Sequence, residues 1–110
     1  MKYTVRIAER AQRDIEEAAD YIEYALKNPR AADSLLDELD SVLSGLEEMP
    51  ERYPPARDEI LASWGIRFVR IRNYLAFFTV DQAEETVHIV RFLYGKSNWT
   101  AILHHDHSKQ

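Results

Sequence analysis

Gly65-Ile66-Arg67-Phe68-Val69-Arg70-Ile71-Arg72-Asn73-Tyr74-Leu75-Ala76-Phe77-Phe78-Thr79-Val80 and Thr86-Val87-His88-Ile89-Val90-Arg91-Phe92-Leu93-Tyr94 are dense in aromatic and β-branched residues, the composition of half-buried strands. The pattern predicts three strands, 65–72, 74–80 and 86–94. A tight turn at Asn73 and a polar turn through Asp81-Gln82-Ala83-Glu84-Glu85 join them into an antiparallel meander. Strict alternation puts Val87, Ile89 and Leu93 on one face of the last strand and Val90, Phe92 and Tyr94 on the other. Both faces are apolar, so both need cover.

Upstream, Tyr3-Thr4-Val5-Arg6-Ile7 alternates at period two and reads as a further strand. From Glu9, apolar residues recur at Ala11, Ile15, Ala18, Ala19, Ile22, Ala25 and Leu26, the spacing of one helical face. Asn28-Pro29 ends that helix and opens the next, since proline disfavours a helical residue before it but suits a first turn. The second helix, from Pro29 to about Glu48, carries the stripe Ala32, Leu35, Leu36, Leu39, Val42, Leu43 and Leu46. A strand, an antiparallel helical hairpin and a three-stranded antiparallel meander make an α+β fold. The hairpin covers one sheet face; Trp99 to Leu103 or a partner chain covers the other, because large apolar patches rarely stay exposed. Three prolines in Pro50–Pro55 predict a loop as far as Ser63. Residues 1–103 read as one domain and 104–110 as a flexible tail.

The chain has 110 residues, no cysteine and a formal net charge of −5. Lack of cysteine excludes a disulfide framework and thiolate metal sites. No apolar run is long enough to span a membrane, and the N-terminus has no signal-like segment, so a cytoplasmic protein is expected. The overall charge argues against a surface that traps nucleic acid everywhere. It hides a division: residues 1–56 hold 7 Lys and Arg against 13 Asp and Glu, whereas residues 57–110 hold 7 against 6. A more basic sheet beside acidic helices follows.

Five patterns resemble the RelE/ParE superfamily of toxins from type II toxin–antitoxin pairs, also known as plasmid stabilisation proteins. They are Tyr3-x-Val5-x-Ile7 with Ala11, Asp14-Ile15 and Tyr21-Ile22; Leu46-x-x-Met49-Pro50-x-Arg52-Tyr53-Pro54; Gly65-x-Arg67; Asn73-Tyr74-x-x-Phe77-Phe78-x-Val80-Asp81; and Thr86-Val87-x-Ile89-x-Arg91-x-Leu93-Tyr94-Gly95-Lys96. The resemblance spans nearly the whole chain. It implies the fold read above, a cognate antitoxin as partner, and one of three activities: a metal-independent endoribonuclease acting on messenger RNA at the ribosome, a non-enzymatic inhibitor of DNA gyrase, or a remnant that only binds antitoxin.

RNA cleavage needs a base, an acid and cations around the scissile phosphate. By resemblance, Arg67 and Arg91 are the cations, projecting from the sheet toward a shared surface, and Tyr94 is the terminal aromatic that stacks on a base or assists proton transfer. Lys96, Arg57 and Arg70 are candidate RNA contacts. The plainer reading makes the arginines surface residues paired with helix acids, Tyr94 a packed sheet residue and Lys96 a solvated turn lysine. Departures from the nuclease pattern matter. Leu93 stands where other nucleases have histidine, and the loop after helix two has Arg57 but no paired lysines. Asp58 and Glu59 are substitute carboxylates more readily explained as solvated, and His88 reads as a satisfied sheet histidine. His104, His105 and His107 with Asp106 match a metal site only in composition, so neither metal nor cofactor is expected. Dimerisation through either long helix stays open.

Overall fold

The structure is a computed structural model that describes residues 2–108. Strand β1 (Thr4–Ile7) leads into α1 (Glu9–Asp20), which runs on through a π-helical turn at Tyr21–Ala25. Helix α2 (Pro29–Gly45) starts as expected, with Pro29 in its first turn and the Asn28 side chain accepting from the Ala31 N–H, which satisfies one of the free amides at a helix start. Strands β2 (Arg67–Ile71), β3 (Tyr74–Asp81) and β4 (Thr86–Tyr94) form the antiparallel meander. Strand β1 adds to β4 in parallel, giving the order β1-β4-β3-β2. The α+β architecture is therefore the one read from the pattern. None of the described helices is long and apolar enough to cross a membrane.

Two corrections concern the connections. The segment expected as loop to Ser63 contains a 3-10 turn, Pro50–Arg52, and a short helix, α3 (Glu59–Ser63). Asp58 nucleates α3 by accepting from the Leu61 N–H at 3.0 Å, a capping bond that a composition-based loop reading cannot see. The tail expected to fray from His104 is helical instead: α4 runs Trp99–Ser108. It is held by buried Leu103, by Trp99 against Phe77 and by the polar contacts of residues 104–107. Residues 109 and 110 of that expected tail lie outside the described residues.

The sheet is covered on both faces. Ala11, Ile15, Ala18, Leu35 and Leu39 of the hairpin pack on Val69, Ile71, Ala76, Phe78, Val87, Ile89 and Phe92. Leu61 of α3 and Leu103 of α4 close the other face over Ile66, Leu75, Phe77 and Leu93. Fully buried Phe77, Phe78 and Phe92 each contribute roughly 2 kcal/mol of transfer energy.

A register shift between Phe77 and Phe78 changes which residues of β4 reach which face. Arg91 pairs with Phe77 and Ile89 with Phe78, leaving Val90 without a partner. One inserted residue reverses the facing of everything after it. Phe92 therefore joins Val87 and Ile89 under the hairpin, while Leu93 and Val90 belong to the α3/α4 side. The strict alternation expected along 86–94 holds only as far as Val90.

Candidate functional site

Arg91 sits in the seam between α1, β4 and α4. Its Nε and Nη2 donate to the two carboxylate oxygens of Asp14 at 2.7 and 3.0 Å, and its Nη1 donates to Asp106 at 2.8 Å. The Phe92 N–H also donates to Asp14, at 3.0 Å. This bond replaces the ladder partner that β1 no longer provides, because β1 pairing ends at Ile7 and Ile89. The Arg91 side chain is only 7% exposed. Burial works against its charge, but the bonds to Asp14 and Asp106 outweigh burial and hold its pKa above the ordinary arginine value.

Arg67 lies elsewhere. It shares the parity of Val69 and Ile71 on the hairpin side of β2, and its Nη1 donates to the carbonyls of Glu51 and Tyr53 at 3.2 and 2.6 Å. Strand β3 separates β2 from β4, and the bulge turns Arg91 to the side opposite Arg67. The shared arginine surface expected from the sequence is not formed.

Arg57 and Arg70 do come together. They line a cavity of about 190 Å³ with Phe68, Leu75, Phe77 and Trp99, and no acid contributes to its wall. Both are exposed, and Arg57 makes no hydrogen bond or ion pair among the described residues, while Arg70 donates only to its neighbour's carbonyl, Arg72 O. Tyr94 is 44% exposed and stands edge-on to Tyr74, with ring centroids 5.8 Å apart. It lines a separate groove with Tyr21, Ile22, Leu26 and Tyr74. Burial, then the nearness of Tyr21 and Tyr94, raises the Tyr74 pKa. Lys96 is exposed in the turn after β4. Gly95 lets that turn close tightly: its N–H donates to Asn73 O at 2.7 Å, and a Cβ would crowd the same oxygen at 3.2 Å.

The six candidate residues thus occupy five places, and the acids that meet one of them, Asp14 and Asp106, are bonded to Arg91 itself. Leu93 is buried. Asp58 is engaged as the α3 cap; its bond from the Leu61 N–H and its contact with His104 at 3.3 Å lower its pKa. His107 stacks on Trp64 with ring centroids 3.6 Å apart. Among the described residues no group of three His, Asp or Glu is placed to hold a metal ion.

Residues 5–99 match the family described as ParE toxin of type II toxin–antitoxin system, parDE. The chain belongs to that family. No curated protein matches this toxin. Its fold is similar to a chain of the RelBE2 toxin–antitoxin complex from Mycobacterium tuberculosis, at 26% identity and a TM-score of 0.61, covering 86% of the toxin and 99% of the other chain. It is also similar to a chain of the chromosomal ParDE system from P. aeruginosa, at 16% identity and a TM-score of 0.68, covering 84% and 96%. The family match makes it a toxin of a type II toxin–antitoxin system.

Sequence reasoning missed Asp14 and Asp106 as the groups that decide what Arg91 does. A signal for Asp14 was present: it lies three residues after Ala11 and four before Ala18, on the apolar stripe of α1, where a carboxylate needs a buried partner. Asp106 had none, because it follows the last apolar residue of the chain.

Proposed function

We propose that this toxin acts by gripping a protein target, and not by cutting RNA, the target implied by the ParE side of the resemblance being DNA gyrase. The observation that supports this reading is the state of Arg91. Its guanidinium is buried between Asp14 and Asp106, so its charge serves the joint of α1, β4 and α4, and with Asp106 in place it is not offered to a scissile phosphate. Arg67 is held by loop carbonyls, and the proton-exchanging groups beside Arg91 are already engaged, Asp14 and Asp106 by its guanidinium and His107 by stacking on Trp64, so none is free to serve as the base or acid of cleavage. Binding a protein requires no such groups.

A messenger-RNA endoribonuclease is the second reading, supported by the cavity where Arg57 and Arg70 flank Phe68 and Trp99. Cations beside aromatic rings suit a phosphate and a stacked base. Induced expression in a bacterial host decides between the readings, with growth, transcript integrity and a DNA-damage reporter followed together for wild type and for Arg57→Ala/Arg70→Ala. Arrest with DNA damage and intact transcripts is the expected result. Transcript cuts that vanish in the double variant would overturn it in favour of the nuclease.

A further inference from the structure

We propose that Asp106 is an internal occupant of an oxyanion site built on Arg91, and that an external carboxylate or phosphate binds there when the end of α4 releases. The site is a cavity of about 520 Å³ lined by Arg10, Thr79, Arg91, Trp64 and His107, in which Asp106 is the only acid. Arg91 divides its donors: Nε and Nη2 are fixed by Asp14, whereas Nη1 holds Asp106 alone. The two carboxylates are unequal. The Asp14 side chain is 5% exposed and also accepts from the Phe92 backbone, while the Asp106 side chain is 37% exposed and its carboxylate has no hydrogen-bond partner but Arg91 among the described residues.

Their anchorage differs as well. Leu103 is the buried side chain of α4, and Asp106 follows it by three residues. Unwinding the last turn therefore releases Asp106 without uncovering the apolar face beneath Leu103; the stacking of His107 on Trp64 is the main contact given up. Helix ends open at low free energy. Once Asp106 has left, Arg91 stays paired with Asp14 and buried, with Nη1 aimed at the vacated position. A guanidinium whose orientation is already set loses little on taking a new oxyanion. Arg10, 3.6 Å from Asp14 and half exposed, adds a second cation, and Thr79 adds a hydroxyl. A group with the carboxylate chemistry of Asp106, or a phosphate, fits these donors.

The test follows the Arg91 guanidinium by nitrogen-detected NMR in the full chain, titrating wild type and Asp106→Asn with sodium phosphate or sodium acetate against sodium chloride at equal ionic strength. If Asp106 fills the site about nine-tenths of the time, removing its charge raises apparent affinity ~10-fold. The expected result is that gain in Asp106→Asn, with shifts centred on Arg91, Arg10 and Thr79 and the gain lost in Asp106→Asn/Thr79→Val. In wild type, amides 104–108 should move with the anion while Leu103 stays. Preference for phosphate or for acetate separates the two ligand sources. Equal affinity in wild type and Asp106→Asn, or a response no larger than that to chloride, overturns the proposal. Should Asp106→Asn fail to fold, the wild-type titration decides alone: residues 104–108 that do not respond to either anion refute it.

Discussion

Arg91 and the Arg57–Arg70 pair lie on the same side of one sheet but in opposite physical states. Arg91 is buried, bonded on two sides and fixed in place. Arg57 and Arg70 are exposed, lack acidic partners among the described residues and flank an aromatic-floored cavity. The difference teaches that an arginine's position along a strand says little about its availability. What matters is whether a neighbouring element brings a carboxylate to meet it. A buried, paired arginine organises the fold, whereas an exposed, unpaired one remains free to meet another molecule.

The sharpest way to break this contrast is Asp14→Ala. It leaves Arg91 buried with one exposed acid and deprives the Phe92 N–H of its acceptor. Losing one partner of a buried pair costs about 3–5 kcal/mol, to be read from the urea midpoint at unchanged slope. Asp106→Ala, removing the more exposed partner, is expected to cost about 1 kcal/mol. Equal losses for the two would show that Arg91 does not discriminate between its carboxylates.

This asymmetry also marks what was legible beforehand. The meander, the hairpin and the start of α2 at Pro29 follow from period-two and period-3.6 patterns and from proline, all local signals. The bulge at Val90 does not: it depends on how β4 registers against β3, and a single extra residue carries Arg91 and Leu93 across the sheet. Arg67 and Arg91 therefore looked like neighbours on one surface and are not. The end of α4 was illegible for another reason. Its helix is held by tertiary contacts of Asp106, His104 and His107 with distant residues, and isolated short helices are too weak to be read from propensity. Arg57 and Arg70 were recognisable as cations, but their convergence needed the turn of the Pro-rich segment back toward β2, seen in the Pro55–Arg67 bridge.

Arg67→Ala probes an intermediate case, since Arg67 is bonded but only to neutral carbonyls. Losing its bonds to Glu51 and Tyr53 is expected to cost about 1 kcal/mol, with faster amide exchange limited to residues 50–55. A loss as large as that of Asp14→Ala would mean that Arg67 too is a buried organiser.

Asp58 supplies a smaller, pH-dependent effect beside the open cavity. Its pKa is lowered in the folded protein, mainly by the Leu61 N–H bond. A carboxyl of depressed pKa contributes stability above the unfolded value of about 4 and loses it as pH falls through the folded value. Acidification from pH 5 should therefore speed amide exchange in α3, and Asp58→Asn, which keeps a capping oxygen, should flatten that response. An unchanged profile in Asp58→Asn would assign the acid response to another group.

The smallest expected effect on stability is also the most informative about function. Arg57→Ala/Arg70→Ala removes two exposed cations with no acidic partner among the described residues, one of them bonded only to a nearby carbonyl. Such surface changes alter stability by no more than about 0.5 kcal/mol, and thermal unfolding should barely register the double variant. Binding is a separate matter, because unpaired guanidiniums beside Phe68 and Trp99 are free to take a partner's charge. If the double variant unfolds like wild type yet no longer arrests growth, the open arginines are the working surface and Arg91 the scaffold behind it. If it unfolds like wild type and arrests growth equally, the target contact lies elsewhere, and the groove of Tyr21, Tyr74 and Tyr94 on the opposite face is the next surface to alter.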